Sequence, residues 1–234
     1  QDSKMEKLPE PLHWFKYEAY FTWITGVLLL GIIYYFGKTV PLVSESAGLH
    51  HHAAVGVGIG SMILFWIIYD LLCKSPVTRS PRLLFAILFS ILTVAAYGLS
   101  EIFTPRAAYI HVGAMIGTAM AANVFFVIIP GQKAMVDATV RGEVADPAHG
   151  AAGAMRSLHN NYFTLPILFI MISSHFPATF GHHNAWAVLA ALGLISATVR
   201  YWFNLSGRGG TNRWLLPLAG LATVTLAMSI KPAP

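Results

Sequence analysis

Ten histidines stand in a 234-residue chain that is 56% hydrophobic and 11% charged. Imidazole is the side chain that most readily ligates haem iron or a transition metal. Seven of the ten gather toward one membrane face in the topology set out below: His50, His51, His52, His111, His175, His182 and His183. Two imidazoles on facing helices can clamp a b-type haem. His111 is the leading candidate ligand, because a polar ring one turn inside an apolar segment is costly without a partner. A hydrogen bond to a neighbouring helix would satisfy it as well. His175, followed by Phe176 and Pro177, is the second candidate. The triplet and the pair can hold Zn or Cu, or stay solvated in wet loops. The chain has no H-E-x-x-H pattern. It has no C-x-x-C-H pattern either, so no covalent c-type haem is expected, and its single cysteine, Cys73, gives no disulfide framework.

A second polar group lies toward the opposite face. It comprises Asp70, Asn123, His159, Asn160, Asn161 and Arg200. Polar residues within membrane spans face a cavity or a partner helix. An arginine among several amides suits a planar anion rich in hydrogen-bonding edges. The plain alternative is an Arg200 that snorkels to the headgroups or pairs with Asp70. His159 and His175 are separated by about 24 Å of helix, so they cannot share one site. One helix thus links an inner polar cluster to an outer histidine cluster, a layout that favours moving electrons or protons across the membrane.

The elements that must carry these groups are apolar runs. A hydrocarbon layer of roughly 30 Å needs about 20 helical residues. About seven such runs occur, at 17–36, 51–73, 82–103, 107–130, 158–177, 184–204 and 213–230. Backbone polar groups find no water in lipid, so each run is expected to be a helix, and the fold class is an all-α polytopic transmembrane bundle. Twelve of the fifteen Lys and Arg residues fall on one side of these spans, which predicts a cytoplasmic N-terminus and an external C-terminus. The net charge of +5 therefore reports topology, and no nucleic acid is expected as a partner.

Residues 1–16 read as a cytoplasmic interfacial segment, 17–230 as the transmembrane domain and 231–234 as the start of an external tail or linker. The stretch 131–157 reads as the longest cytoplasmic loop, with a short surface helix within Lys133–Glu143. Pro166 predicts a kink in the fifth span. Gly56 and Gly60, and Gly113, Gly117 and Ala121, are spaced by four and predict close helix packing. The chain opens Gln1-Asp2-Ser3-Lys4 without an initiator Met or a signal peptide, so a preceding segment is expected.

Several stretches are long and unusual. They are Leu12-His13-Trp14-Phe15-Lys16-Tyr17-Glu18-Ala19-Tyr20, Ile110-His111-Val112-Gly113-Ala114-Met115-Ile116-Gly117, Ala122-Asn123-Val124-Phe125-Phe126-Val127-Ile128-Ile129-Pro130, and Ser157-Leu158-His159-Asn160-Asn161-Tyr162 running on to Thr164-Leu165-Pro166. Together they resemble the membrane domain of the bacterial membrane-bound urate hydroxylases, or urate oxidases, over nearly the whole chain. That resemblance implies a further helix before Gln1, itself carrying a histidine, and a cytochrome c domain after Pro234.

The resemblance also implies an activity in the bacterial inner membrane. Water adds to urate, two electrons leave for cytochrome c, and 5-hydroxyisourate forms. On this reading Arg200, Asn160, Asn161 and Asn123 bind substrate, His159 is the general base, and His111 and His175 hold a b-type haem or otherwise guide electrons outward. The competing reading is a non-catalytic, haem-carrying or structural subunit of a larger respiratory or photosynthetic complex. A metal or small-anion transporter is a third, although inverted repeats are not visible.

Overall fold

The computed structural model describes residues 12–37 and 39–230, with side chains from residue 16 onward. Lys38, the expected tail 231–234 and most of the expected interfacial segment 1–16 lie outside the described residues. Every named element among the described residues is helical, and the only strand-like pairing is an isolated bridge between Val43 and Phe103.

Helix α1 (Leu12–Leu30) runs on into a π-helical turn, Gly31–Tyr35. Then come α2 (His51–Lys74), α3 (Pro81–Ile102), and α4 (Pro105–Asn123) with a second π-helical turn, Val124–Ile128, leading into α5 (Ile129–Val140). Helices α6 (Pro147–Ile172), α7 (Pro177–Phe180), α8 (Ala185–Gly207) and α9 (Leu215–Ser229) complete the chain.

Among the described residues, five helical stretches are long and apolar enough to cross a membrane: Lys16–Tyr35, His51–Lys74, Pro81–Ile102, Pro105–Val140 and Ala185–Gly207. The other two expected spans differ for separate reasons. α9 is apolar but has 15 residues, about 22 Å of helix. α6 has 26 residues, yet carries Arg156, His159, Asn160 and Asn161 and is polar through its first half. Burial is inverted relative to a water-soluble protein. Leu221 is 65% exposed, whereas Arg156 is 2% exposed and His111 and Asn123 are fully buried. Lipid solvates the apolar exterior, and polar groups survive only where protein surrounds them.

The stretch 131–157 is mostly helix rather than the loop its polarity predicts, and the short helix expected within Lys133–Glu143 is the end of α5. The fourth helix continues through Pro130 to Val140, because the π-helical turn just before it has already left the ordinary hydrogen-bond register and Pro130 falls in the first turn of α5. α6 then starts at Pro147, capped by the Asp146 side chain, which accepts from the Ala148 N–H at 2.8 Å. Residues 131–140 and 147–157 of the expected loop are therefore helical, Arg156 among them.

α4 is the most buried helix, and α2 and α6 pack along it. A Cβ at Gly113 would stand 2.7 Å from Ile170, and one at Gly117 would stand 3.1 Å from Ile167, so these glycines set the α4–α6 approach as their spacing predicts. The α2 pair does not: nothing lies within 4 Å of a Cβ at Gly56 or Gly60. The close approach on α2 is at Gly58.

Candidate functional site

Polar chemistry concentrates at two depths. One is the basic end of the bundle, where α2 ends and α3 begins; the other is the histidine end, where α2 and α4 begin.

At the basic end α6 supplies the central cation. Arg156 Nη2 donates to Asp70 Oδ1 on α2 at 2.6 Å, and Nη1 donates to Asn123 Oδ1 on α4 at 3.2 Å. Its guanidinium carbon lies 4.9 Å from the centre of the Tyr69 ring and 5.8 Å from that of Trp66, so two aromatic faces complete its surroundings. Asn123 Nδ2 donates to Tyr69 Oη at 2.9 Å and to Asn160 Oδ1 at 2.8 Å. Asn160 Nδ2 donates to the Met120 carbonyl at 3.1 Å. Tyr69 Oη lies 2.9 Å from His159 Nδ1, and the Cys73 sulfur lies 3.7 Å from the same nitrogen. Seven side chains from three helices thus form one connected network in which nearly every polar atom is satisfied.

Four of the six residues in the polar group expected from the sequence, Asp70, Asn123, His159 and Asn160, belong to that network. Arg200 and Asn161 do not. Arg200 Nε donates to the Asn161 backbone carbonyl at 2.9 Å, tying α8 to α6, and Asp70 pairs with Arg156 and Lys74 rather than with Arg200. The cause is helical geometry: successive residues turn by about 100°, so His159, Asn160 and Asn161 point toward three different neighbours. Asn161 Oδ1 and, one turn beyond Arg200, Asn204 Nδ2 are buried without a hydrogen-bond partner among the described residues, as is Arg156 Nε.

Sequence reasoning missed Arg156 and Tyr69. Arg156 sat in a stretch of small and polar residues that resembles a loop. The Asp146-Pro147 pair was the available signal, since it marks a helix start eleven residues earlier than the apolar run does.

A cavity of about 530 Å³ opens beside this network. It runs between α3, α6 and α8 from Arg82 to Ala96, about 20 Å of helix. Its walls are almost wholly aliphatic and aromatic. The polar exceptions lie mostly at the basic end: Arg82, His159, Tyr162 and Tyr201. Neither Arg200 nor Asn161 lines it, and no residue of α2 does.

At the histidine end His111 is held on both sides. Its Nδ1 lies 2.8 Å from the Ala107 carbonyl and therefore donates to it, which leaves Nε2 to accept from the Tyr35 hydroxyl at 3.0 Å. Phe103 packs on the ring with centroids 4.4 Å apart. A Cβ at position 58 would fall 2.7 Å from both His111 Nε2 and Tyr35 Oη, so α2 closes the remaining space. His51 Nε2 lies 2.8 Å from the Tyr35 carbonyl, which makes Tyr35 the junction of this end. His175 ends a 3-10 turn, Ser173–His175, and is exposed. Axial haem ligation by His111 does not fit this arrangement, because Nε2 has a hydroxyl in place and a helix backbone against it. Among the described residues, no three His, Cys, Asp or Glu side chains form a metal-binding group.

No curated protein and no solved structure matches the chain. A family description does, over residues 3–231, and it covers both polar ends and every helix described above. With its helical membrane bundle and buried Arg156–Asn123–His159 network, this chain belongs to the urate oxidase N-terminal family.

Proposed function

We propose that this protein is a membrane-embedded oxidoreductase that hydroxylates urate. The family match over residues 3–231 carries this reading. Urate and water give 5-hydroxyisourate, two protons and two electrons, and two ferric cytochromes c each accept one electron. The basic end faces the bacterial cytoplasm and the histidine end faces the cytochrome, as the distribution of Lys and Arg along the sequence suggests.

The purine ring enters the basic end of the cavity, where apolar walls take its faces and exclude water. Arg82 at the mouth attracts the anion, and His159 and Tyr162, one turn apart on α6, meet its polar edge. Asn123 and Asn160 stand behind His159 and hold it in place. Arg200 and Asn161 lie on the other side of α6 and brace the α6–α8 contact that forms one wall. No step passes through a haem.

The test is urate-dependent reduction of added ferric cytochrome c by membranes containing the intact protein, with product formation followed by ultraviolet absorbance. Turnover that depends on urate and is lost in His159→Phe supports the reading. Absence of turnover in the intact protein overturns it in favour of a non-catalytic subunit of an electron-transfer complex.

A further inference from the structure

An arginine side chain never accepts a hydrogen bond, and in the basic-end network that fact propagates over four residues. Arg156 Nη1 donates to Asn123, so the atom it meets must be the amide oxygen. The amide nitrogen of Asn123 then points the other way and donates to Tyr69 Oη and Asn160 Oδ1. Tyr69 Oη receives that proton, and the nitrogen acceptor that its own proton meets among the described residues is His159 Nδ1 at 2.9 Å. The Cys73 thiol, 3.7 Å away, adds a second weak donor to the same lone pair. Nδ1 is therefore bare, and the proton of the neutral ring sits on Nε2. A doubly protonated ring would deny the Tyr69 hydroxyl proton that nitrogen and leave it the weakly accepting Cys73 sulfur.

The direction of the ring follows as well. Nδ1 faces Tyr69 on α2, yet α2 contributes nothing to the cavity wall, whereas His159 does line it. The opposite edge of the imidazole, which carries Nε2–H, faces the cavity.

We infer that Tyr69 is a positioning residue that locks His159 in the Nε2–H tautomer, so that the cavity presents a hydrogen-bond donor suited to a carbonyl oxygen or oxyanion on the ligand. This deepens the urate reading and its chemical consequence rests on it: His159 polarises a urate oxygen and stabilises charge developing there, in place of the general-base role expected from the resemblance. The tautomer itself stands apart from that reading.

The test is nitrogen NMR of the intact protein, labelled with ¹⁵N-histidine in lipid bilayers, with His159 assigned by comparison with His159→Gln. The expected wild-type spectrum has His159 protonated at Nε2 and bare at Nδ1. In Asn123→Asp a carboxylate replaces the amide donor and accepts the Tyr69 proton, so the His159 tautomer inverts. In Tyr69→Phe the lock is gone, the two tautomers mix, and urate turnover falls roughly tenfold or more with little change in KM. A wild-type His159 protonated at Nδ1, or an Asn123→Asp spectrum identical to wild type, overturns the inference. A correct tautomer in a protein that does not oxidise urate leaves the lock standing and removes only the urate reading.

Discussion

Arg156 on α6 and Asp70 on α2, 86 positions apart, meet at 2.6 Å, but their environments are unequal: the arginine side chain is 2% exposed and the carboxylate 17%. The carboxylate also holds Lys74 at 2.6 Å, one turn along α2, while the guanidinium has no second anion among the described residues. The two ends of this pair therefore tolerate loss differently.

Asp70→Ala is expected to lower stability by about 3–5 kcal/mol, because it strands a buried cation. Arg156→Gln leaves Asp70 paired with Lys74 and is expected to cost less. Lys74→Ala, with Lys74 68% exposed, is expected to change stability by under about 1 kcal/mol. Thermal unfolding in detergent, read by loss of monodisperse protein, orders the three. An Arg156 variant weaker than Asp70→Ala would contradict the asymmetry.

Gly58→Ala is expected to destabilise by about 1–3 kcal/mol, since the new methyl meets the buried His111 ring and the half-buried Tyr35 hydroxyl hydrogen-bonded to it. Gly56→Ala and Gly60→Ala, with open space around their Cβ positions, are expected to be neutral or slightly stabilising through helix propensity. The same unfolding assay compares them.

Tyr35→Phe removes the only donor to His111 Nε2 among the described residues and is expected to cost about 1–3 kcal/mol by leaving a buried acceptor unpaired. It also vacates the one position on His111 that a metal could take. Any b-type haem bands of the purified wild-type protein are expected to survive His111→Ala. Their disappearance would mean that Tyr35 yields its place to iron.

For turnover, His159→Phe is expected to reduce urate-dependent cytochrome c reduction by about a hundredfold or more, the scale of one preorganised donor. Arg200→Ala, which removes a brace outside the cavity, is expected to cost less than tenfold. Equal losses would move the substrate to the Arg200 side of α6.

The sequence made the apolar helices legible because lipid imposes a length and an apolarity that composition reveals, but not the extension to Val140 or the start of α6 at Pro147. It made Asn123, His159 and Asn160 legible as one group for the same reason, since polar residues inside apolar runs are conspicuous. Arg156 and Tyr69 escaped. A tyrosine in a membrane helix is ordinary, and an arginine among Gly, Ala and Ser reads as solvated until the helix start at Pro147 is recognised. Partner choice was also hidden. That Asp70 takes Arg156 and not Arg200 depends on which way α6 is rotated against α2 and α8, and periodicity within one helix does not contain that angle. Gly58 escaped because its role comes from a ring on another helix rather than from a repeat on its own.

The polarity of α6 has a consequence for how the protein is made. The five strongly apolar stretches can each partition into the bilayer as they leave the ribosome, but a segment carrying Arg156, His159, Asn160 and Asn161 gains little by entering lipid alone. Its charge becomes tolerable only beside Asp70 and its amides only beside α4, both of which are synthesised earlier. Membrane insertion of α6 is then a docking event onto a platform already laid down. Substitutions at Asp70 or Asn123 should appear first in the cell as chains with α6 left outside the membrane, before any defect in chemistry can be measured.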